Sequence, residues 1–194
     1  KNNLSKNGKG KNISISKDVI LEGEVIIGNN VVIEPYCIIK NSKILSNTHI
    51  KSYTHIDQSK IGSNCKIGPY ANIRPGSIIE NNVEIGNFVE IKKSKIGSFS
   101  RINHMTFVGD AIVAKNVTLG AGTITCNHDG KKINKIKINE GAYIGSGTKL
   151  IAPLKIGKKS IIGAGSVITN NVPANKLTLS RSEQITINRR KKKI

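Results

Sequence analysis

The chain has 194 residues, which suits one domain, and a formal net charge of +19 at pH 7. Aromatic residues make up 4% of it and tryptophan is absent, which is typical of a narrow core and leaves little for base stacking on nucleic acid. No apolar stretch approaches membrane-spanning length and no signal peptide is visible, so we expect a cytoplasmic protein with no membrane partner.

The positive charge admits two interpretations. One is an anion-binding surface, for example for nucleic acid. The other is a set of scattered lysines on solvent-exposed turns, and the joint abundance of Lys, Asn and Ile favours this one. We therefore expect no specific nucleic-acid partner, and we expect the terminal run of 189–193 to be a solvated tail.

The three cysteines, Cys37, Cys65 and Cys126, show no CxxC spacing and cannot all pair. Reduced thiols in the cytoplasm are the simple interpretation. Cys37 and Cys65 fall at small inward positions of the repeat described next, so we predict that they are core thiols.

Residues 1–14 are predicted to be a flexible linker from a missing N-terminal domain. Aliphatic residues then recur every six positions, with occasional slips of one residue. A six-residue period fits neither a helix nor an ordinary sheet and indicates a three-sided parallel β-solenoid with coils of about 18 residues. Residues 15–169 would form it in between eight and nine coils, roughly 40 Å long at the spacing of stacked strands. The two longest unbroken runs are Ile61, Ile67, Ile73, Ile79, Ile85, Ile91 and Ile138, Ile144, Leu150, Ile156, Ile162, Ile168.

A glycine often follows the aliphatic residue, as at Gly28, Gly62 and Gly97. We expect these glycines to adopt positive φ at the corners, because glycine does so without steric cost. The residue four after the aliphatic one is small or branched and should point inward beside the next aliphatic residue, since residues two apart on a strand face the same way.

The repeat is interrupted once, by the polar, basic segment 126–137, which we predict to leave the solenoid as a loop and to carry function. Residues 170–194 leave the six-residue pattern. We expect them to form a C-terminal extension that folds over the end of the solenoid, followed by the basic tail.

Several stretches are more specific than the repeat. Together they closely resemble the acetyltransferase half of the bacterial bifunctional N-acetylglucosamine-1-phosphate uridylyltransferase/glucosamine-1-phosphate N-acetyltransferase. The resemblance implies an all-β, left-handed parallel β-helix, a homotrimer with active sites between subunits, and acetyl-CoA as co-substrate. It implies magnesium only in the absent N-terminal uridylyltransferase domain. The stretches are RPGS (74–77), IGNFVEIKKSKIG (85–97), NHMTFVGDA (103–111), LGAGTITCNHDG (119–130), IGAGSVIT (162–169) and SRSEQ (180–184).

By this resemblance, His104 is the general base. A group with a pKa near 6.5 can take a proton from an attacking amine near neutral pH. Arg74 and Lys92 match the positions that hold the phosphate of glucosamine-1-phosphate, and Phe107 and Thr118 match further substrate contacts. Glu90 is expected to orient Lys92.

The resemblance also implies contacts to acetyl-CoA, with Arg181 near the phosphates. Packing in the repeat explains the small residues of this set equally well, whereas Asn127 and Arg181 lie outside the repeat. The full set is Ala121, Asn127, Ser146, Ala164 and Arg181.

The chain departs from the family where it has Phe107 for Tyr, Thr118 for Asn, His128 for Tyr and Ile133 for Lys. Each lost neutral hydrogen bond costs about 0.5–1.5 kcal/mol and a charged one about 1.5–3 kcal/mol. We therefore expect weakened binding of the sugar phosphate with the base retained.

Two alternatives stay open. One is a zinc hydratase, which would need three histidines, but only His49, His55, His104 and His128 are present and none have the required spacing. The other is a decayed, non-catalytic scaffold that binds anions through its charge. Retention of the His104, Arg74 and Arg181 set argues against this alternative.

Overall fold

The computed structural model describes residues 4–187, with the backbone alone for 4–9. These residues form strands and no helix, so none of their elements is a helix that could span a bilayer. From β1 to β27 each strand pairs in parallel with the strand three places away in the chain, and β28 pairs with β26; this generates three sheets that we call faces 1, 2 and 3. The predicted three-sided parallel β-solenoid is confirmed.

The faces follow one another in chain order, so that one strand of each makes up a coil. Face 1 consists of β1 (Leu4–Lys9), β4 (Val25–Ile27), β7 (Lys43–Ile44), β10 (Lys60–Ile61), β13 (Ile78–Ile79), β16 (Lys95–Ile96), β19 (Ala111–Val113), β22 (Ile136–Ile138) and β25 (Leu154–Ile156). Face 2 consists of β2 (Ser14–Ile15), β5 (Val32–Ile33), β8 (His49–Ile50), β11 (Lys66–Ile67), β14 (Glu84–Asn87), β17 (Arg101–His104), β20 (Thr118–Leu119), β23 (Tyr143–Ile144), β26 (Ile161–Ile162) and β28 (Leu177–Thr178). Face 3 consists of β3 (Ile20–Glu22), β6 (Ile38–Lys40), β9 (His55–Asp57), β12 (Asn72–Ile73), β15 (Glu90–Lys92), β18 (Phe107–Gly109), β21 (Ile124–Cys126), β24 (Lys149–Ile151) and β27 (Val167–Ile168).

The core is the column of aliphatic side chains that the six-residue period predicts. Every member of the two longest runs is buried, with no more than 3% of its surface exposed. Stacking in register brings each member against its counterpart one coil away, as Ile61 pairs with Ile79 and Ile67 with Ile85. Because each coil buries its apolar set mainly against its neighbours, stability accumulates along the stack.

Cys37 and Cys65 are buried in this core, as predicted, and Cys126 is half-buried. Burial raises the pKa of both core thiols, since a thiolate would lose its hydration there. These two groups therefore behave as small apolar side chains.

The prediction of positive φ at the glycines that follow the aliphatic residue is wrong for all but Gly68. These glycines are required by close approach instead. A Cβ at Gly97 would lie 2.5 Å from the carbonyl carbon of Ala114, and one at Gly157 would lie 2.3 Å from the backbone nitrogen of Ala174. At most of these glycines the backbone of the next coil occupies the space that a side chain would need; at Gly109 and Gly163 neighbouring side chains do so.

Positive φ occurs two residues after the position of these glycines, at the corner itself. At the edge between faces 1 and 2 the residue is usually asparagine, whose short polar side chain tolerates this conformation. Some of these side chains also bond between coils, as Asn30 Nδ2 donates to Asn47 Oδ1 at 2.9 Å. The asparagines are Asn12, Asn30, Asn47, Asn64, Asn82, Asn116 and Asn175.

The strands extend past both limits predicted for the solenoid. Leu4–Lys9 pairs with Val25–Ile27 where a flexible linker was expected, and Leu177–Thr178 pairs with Ile161–Ile162 within the expected extension. The solenoid therefore has more coils than the sequence indicates. The basic run 189–193 lies outside the described residues, and the division into linker, solenoid and extension stays a prediction.

The predicted loop lies between β21 and β22 and comprises residues 127–135; Cys126 and residues 136–137, which the prediction included, belong to the two strands. A short antiparallel bridge joins His128 and Ile133, so these two departures from the family lie opposite each other. The Asp129 carboxylate accepts hydrogen bonds from the backbone N–H groups of Lys132 and Lys131 and from the amide of Asn134. These bonds lower the pKa of Asp129 to about 2.

Candidate active site

His104 ends β17 at the corner between faces 2 and 3, and its side chain is exposed. We call this corner the histidine edge. Nδ1 of His104 lies 2.8 Å from Oδ1 of Asn87, which ends β14 one coil earlier. An amide oxygen can only accept, so Nδ1 carries the hydrogen, and in the neutral ring Nε2 keeps a free lone pair. This is the tautomer that a general base needs.

A groove of about 360 Å³ lies beside the imidazole. Its lining includes Lys51, Lys66, Glu84 and Asn103 in addition to Asn87 and His104. The groove is open and its lining is mixed in charge, so a polar molecule can reach the imidazole.

Above His104 the histidine edge changes character. The corner residue with positive φ is large in the earlier coils and glycine in the later ones, at Gly122, Gly147 and Gly165. A Cβ at Gly165 would meet no atom within 4 Å, so the edge is open there. The earlier corner residues are Tyr36, Tyr53, Tyr70, Phe88 and Met105, and the first four of them stack with ring centroids 4.8–5.4 Å apart.

The small residues of the predicted acetyl-CoA set line this open stretch, one per coil. The carbonyl of His104 accepts a hydrogen bond from the N–H of Gly122, that of Ala121 from Gly147, and that of Ser146 from Gly165. The carbonyl of Ala164 accepts from Nη1 of Arg181 at 3.1 Å. Four of the five predicted cofactor residues therefore follow His104 along one edge, the exception being Asn127.

The predicted phosphate-binding residues lie on another edge. Arg74 follows β12 and Lys92 ends β15, both at the corner between faces 3 and 1, which we call the arginine edge. Asn127 is at the same edge two coils above Lys92, and its amide donates to Asp110 Oδ2 at 2.6 Å. The structure thus separates these residues from His104 by the width of face 3.

Glu90 pairs with Arg74 rather than with Lys92, which corrects the expectation from the sequence. Nη1 of Arg74 lies 2.6 Å from Oε1 of Glu90, which points outward on face 3. Both side chains are partly exposed, so the pair orients the guanidinium and contributes little to stability.

Phe107 and Thr118 occupy different faces. Phe107 points outward on face 3, with its ring edge close to Gly109 at the arginine edge. Thr118 points outward on face 2, one coil above Arg101 and three residues before Ala121. Phe107 therefore groups with the phosphate residues and Thr118 with the histidine edge.

Sequence reasoning did not identify Asn87 as a functional residue. The spacing along the chain could have identified it: Asn87 precedes His104 by about one coil, and stacked neighbours are separated by about 18 residues. Within residues 10–187 no group of three or more His, Cys, Asp or Glu side chains could hold a metal ion.

Two family models match the chain. One describes the C-terminal domain of GMPPB and covers residues 9–96; the other describes the bacterial transferase hexapeptide (six repeats) and covers residues 135–170. The second model names the repeat that the spacing of aliphatic residues predicts.

Curated relatives named bifunctional protein GlmU match more than half of the chain closely. That of Carboxydothermus hydrogenoformans is 51% identical over 117 residues, which is 60% of this chain and 26% of the relative. That of Thermotoga maritima has the same identity and coverage. The chain thus matches about a quarter of the length of these relatives.

Solved structures share the fold at low sequence identity. A UDP-N-acetylglucosamine acyltransferase aligns with a TM-score of 0.59 and 19% identity, covering 89% of this chain and 71% of that one. The enzyme of that name from Campylobacter jejuni aligns with a TM-score of 0.54 and 19% identity, covering 84% and 70%. These matches confirm the predicted left-handed coiling. The chain is a left-handed hexapeptide-repeat β-helix, and 117 of its residues closely resemble part of the relatives named bifunctional protein GlmU.

Proposed function

We propose that the chain is an acyltransferase that moves acetyl from acetyl-CoA to the amine of glucosamine-1-phosphate. The product, N-acetylglucosamine-1-phosphate, would feed the synthesis of UDP-N-acetylglucosamine and so of peptidoglycan and, where present, lipopolysaccharide. The observation that carries the proposal is the exposed His104 imidazole, held with Nε2 free, at the start of an open edge lined by the predicted cofactor residues. Similarity to the GlmU relatives supports the choice of substrates.

In the proposed reaction the amine nitrogen attacks the thioester carbonyl, the C–S bond breaks and coenzyme A leaves as a thiolate. Nε2 of His104 takes the proton that the amine loses and can pass it to the thiolate. General-base catalysis of this kind contributes about 100- to 10,000-fold. The backbone N–H groups of a rigid edge can stabilise the oxyanion of the tetrahedral intermediate.

The glycine stretch fits an extended co-substrate. Along it the edge has no side chain at Gly122, Gly147 and Gly165, so a narrow arm can lie against the backbone. Arg181 lies at its far end with one nitrogen bonded to Ala164, and the remaining N–H groups of its guanidinium are suited to phosphate. Asn127 cannot join this set from the same chain, because it is at the arginine edge.

Separation of the two edges supports a homotrimer with sites between subunits. In a three-fold ring with face 3 turned towards the axis, the histidine edge of each copy lies beside the arginine edge of the next. Such a heterologous contact closes into a ring when the rotation is one third of a turn. Each site then combines His104 and the glycine stretch of one copy with Arg74, Lys92 and Asn127 of its neighbour.

Mixing two impaired variants, assayed with glucosamine-1-phosphate well below the raised KM of Arg74→Ala, tests this arrangement. His104→Ala retains the arginine edge and Arg74→Ala retains the histidine edge. Random co-assembly restores about a quarter of the sites if each site takes one edge from each of two copies. Recovery of about that fraction of acetylation, in mixtures denatured and refolded together, supports the proposal. No recovery beyond the sum of the separate variants would place both residues in one chain's site and contradict it.

The alternative is a scaffold that has lost catalysis. The departures at His128 and Ile133 favour it, because they face each other in the loop and replace a hydroxyl and a cation of the family pattern. Release of coenzyme A that depends on glucosamine-1-phosphate would rule the alternative out.

A further inference from the structure

Face 1 differs from the other two faces in the charge of its outward side chains. In register along the stack, its outward positions are isoleucine or lysine in every coil from β4 to β25. The order is Ile26, Lys43, Lys60, Ile78, Lys95, Ile112, Lys137 and Lys155.

The corresponding rows of the other faces carry less charge and of both signs. Face 2 has Lys66 and Arg101 with Glu84 between them. Face 3 has Lys149 and Glu90. Five cations and no carboxylate on one row therefore make face 1, which we call the lysine face, a distinct feature rather than a sample of the overall composition.

Most of these lysines have no compensating partner. Within residues 10–187, Lys95 alone of the five pairs with a carboxylate, that of Glu80 at 2.8 Å. No carboxylate of the same residues lies within 4.0 Å of the ammonium groups of Lys43, Lys60, Lys137 or Lys155. Neighbouring strands are about 4.8 Å apart, so Lys43 repels Lys60 and Lys137 repels Lys155. An anionic partner would relieve this repulsion.

Apolar side chains are interspersed among the charged ones. Ile78 is 43% exposed and Ile112 is 47% exposed, and shallow grooves of about 480 and 190 Å³ run beside them. The row extends about 34 Å over eight coils, on a sheet face without protruding loops between β4 and β19. The result is a long, flat surface on which lysines and isoleucines are interspersed.

We propose that the lysine face docks on an anionic lipid bilayer. Lysine is a compact point charge suited to a diffuse anionic surface, and each lysine near such a surface contributes about a five-fold factor in binding. The isoleucines would lie at the headgroup boundary, as apolar side chains do in interfacial segments. Nucleic acid fits less well, because the row contains neither arginine nor an aromatic side chain for stacking.

This proposal goes beyond the proposed acetyltransferase function and does not depend on it. In the three-fold ring described above, face 3 turns inward and the lysine face stays accessible. The expectation of no membrane partner came from the lack of a spanning segment, and surface docking requires none.

Vesicle co-sedimentation with the full chain tests the proposal, using phosphatidylcholine vesicles with and without phosphatidylglycerol. We expect binding only when phosphatidylglycerol is present, and weaker binding as salt is raised. The variant Lys43→Gln/Lys60→Gln/Lys137→Gln/Lys155→Gln should lower the partition coefficient about 100-fold or more. The matched control, Lys17→Gln/Lys51→Gln/Lys66→Gln/Arg101→Gln, removes four cations from face 2 and the histidine edge. Its fold-reduction of the partition coefficient should be less than a tenth of that of the lysine-face variant.

Both variants keep the same basic C-terminal run, so its contribution cancels, and a denaturation curve shows that each is folded. Equal losses in the two variants would mean that charge alone drives binding and would overturn the proposal. Absence of binding to phosphatidylglycerol vesicles would overturn it too. Tighter binding to duplex DNA than to these vesicles would also overturn the proposal, provided that the four lysine substitutions weakened the binding to DNA.

Discussion

Oδ1 of Asn87 accepts a hydrogen bond from Nδ1 of His104 across one coil of the solenoid, at 2.8 Å. The contact exists because β14 and β17 pair in register up to their last residues, which stacks Asn87 under His104. It fixes the imidazole tautomer and so makes Asn87 a positioning residue for the proposed base.

Asn87→Ala should lower kcat about 10-fold, because the loss of one hydrogen bond worth about 1.4 kcal/mol leaves the imidazole free to rotate and to change tautomer. Asn87→Asp keeps the acceptor and adds a negative charge, which favours the imidazolium. The low-pH limb of the profile of kcat/KM should then move to higher pH. A structural role alone would lower activity in both variants without moving that limb.

The Arg74–Glu90 pair predicts an effect on substrate affinity. Arg74→Ala removes a charged contact to the sugar phosphate and should raise its KM about 10- to 150-fold, with a smaller change in kcat. Arg74→Lys should recover part of the lost affinity, because lysine keeps the positive charge but lacks the planar fork of the guanidinium. Glu90→Gln serves as the control for orientation and should raise KM less than Arg74→Ala does. An unchanged KM in Arg74→Ala would remove Arg74 from the site.

The close approach of coils at glycine predicts a large cost for added methyl groups. Gly97→Ala would place a Cβ 2.5 Å from two backbone atoms of the next coil and should lower the free energy of unfolding by about 3 kcal/mol. At Gly165 a Cβ has open space but φ is +72°, so Gly165→Ala should cost about 1–2 kcal/mol. Urea denaturation measures both, and a smaller cost at Gly97 than at Gly165 would refute the explanation by close approach.

The loop 127–135 should depend on the ionised carboxylate of Asp129. Its pKa is held at about 2, below the usual 3.8, by bonds that only the ionised form accepts in full. The stabilisation is therefore complete above pH 3.8 and is lost as pH falls towards 2. Asp129→Ala should remove it at every pH. Faster hydrogen exchange at the amides of Lys131 and Lys132 would report the change, and unaltered exchange in the variant would show that the turn does not need Asp129.

The fold could be predicted from the sequence because one physical constraint repeats. A buried aliphatic residue every six positions fixed both the three faces and the core, and every member of the long runs from Ile61 and Ile138 is buried. The cause of the recurring glycines could not be predicted in this way, since the obstacle to a side chain belongs to the backbone one coil away. Nor could the inclusion of Leu4–Lys9 and Leu177–Thr178, whose residues do not keep the six-residue spacing.

The candidate site could be predicted in part. Resemblance placed His104, Ala121, Ser146 and Ala164, and the structure brings them to one edge. The number of residues per coil varies, with 17 between His104 and Ala121 but 18 between Ser146 and Ala164. This variation hides the alignment in the sequence. The partners of side chains escaped prediction for the same reason: Asn87 with His104 and Glu90 with Arg74 meet only after the coils stack.

Coenzyme A release, measured by thiol detection with purified chain, acetyl-CoA and glucosamine-1-phosphate, tests the central claim most directly. The account predicts release that requires the sugar phosphate and falls about 100- to 10,000-fold in His104→Ala, with the assembly and the unfolding curve unchanged. Undiminished release in His104→Ala, or no release from the wild-type chain at millimolar substrate, would contradict it.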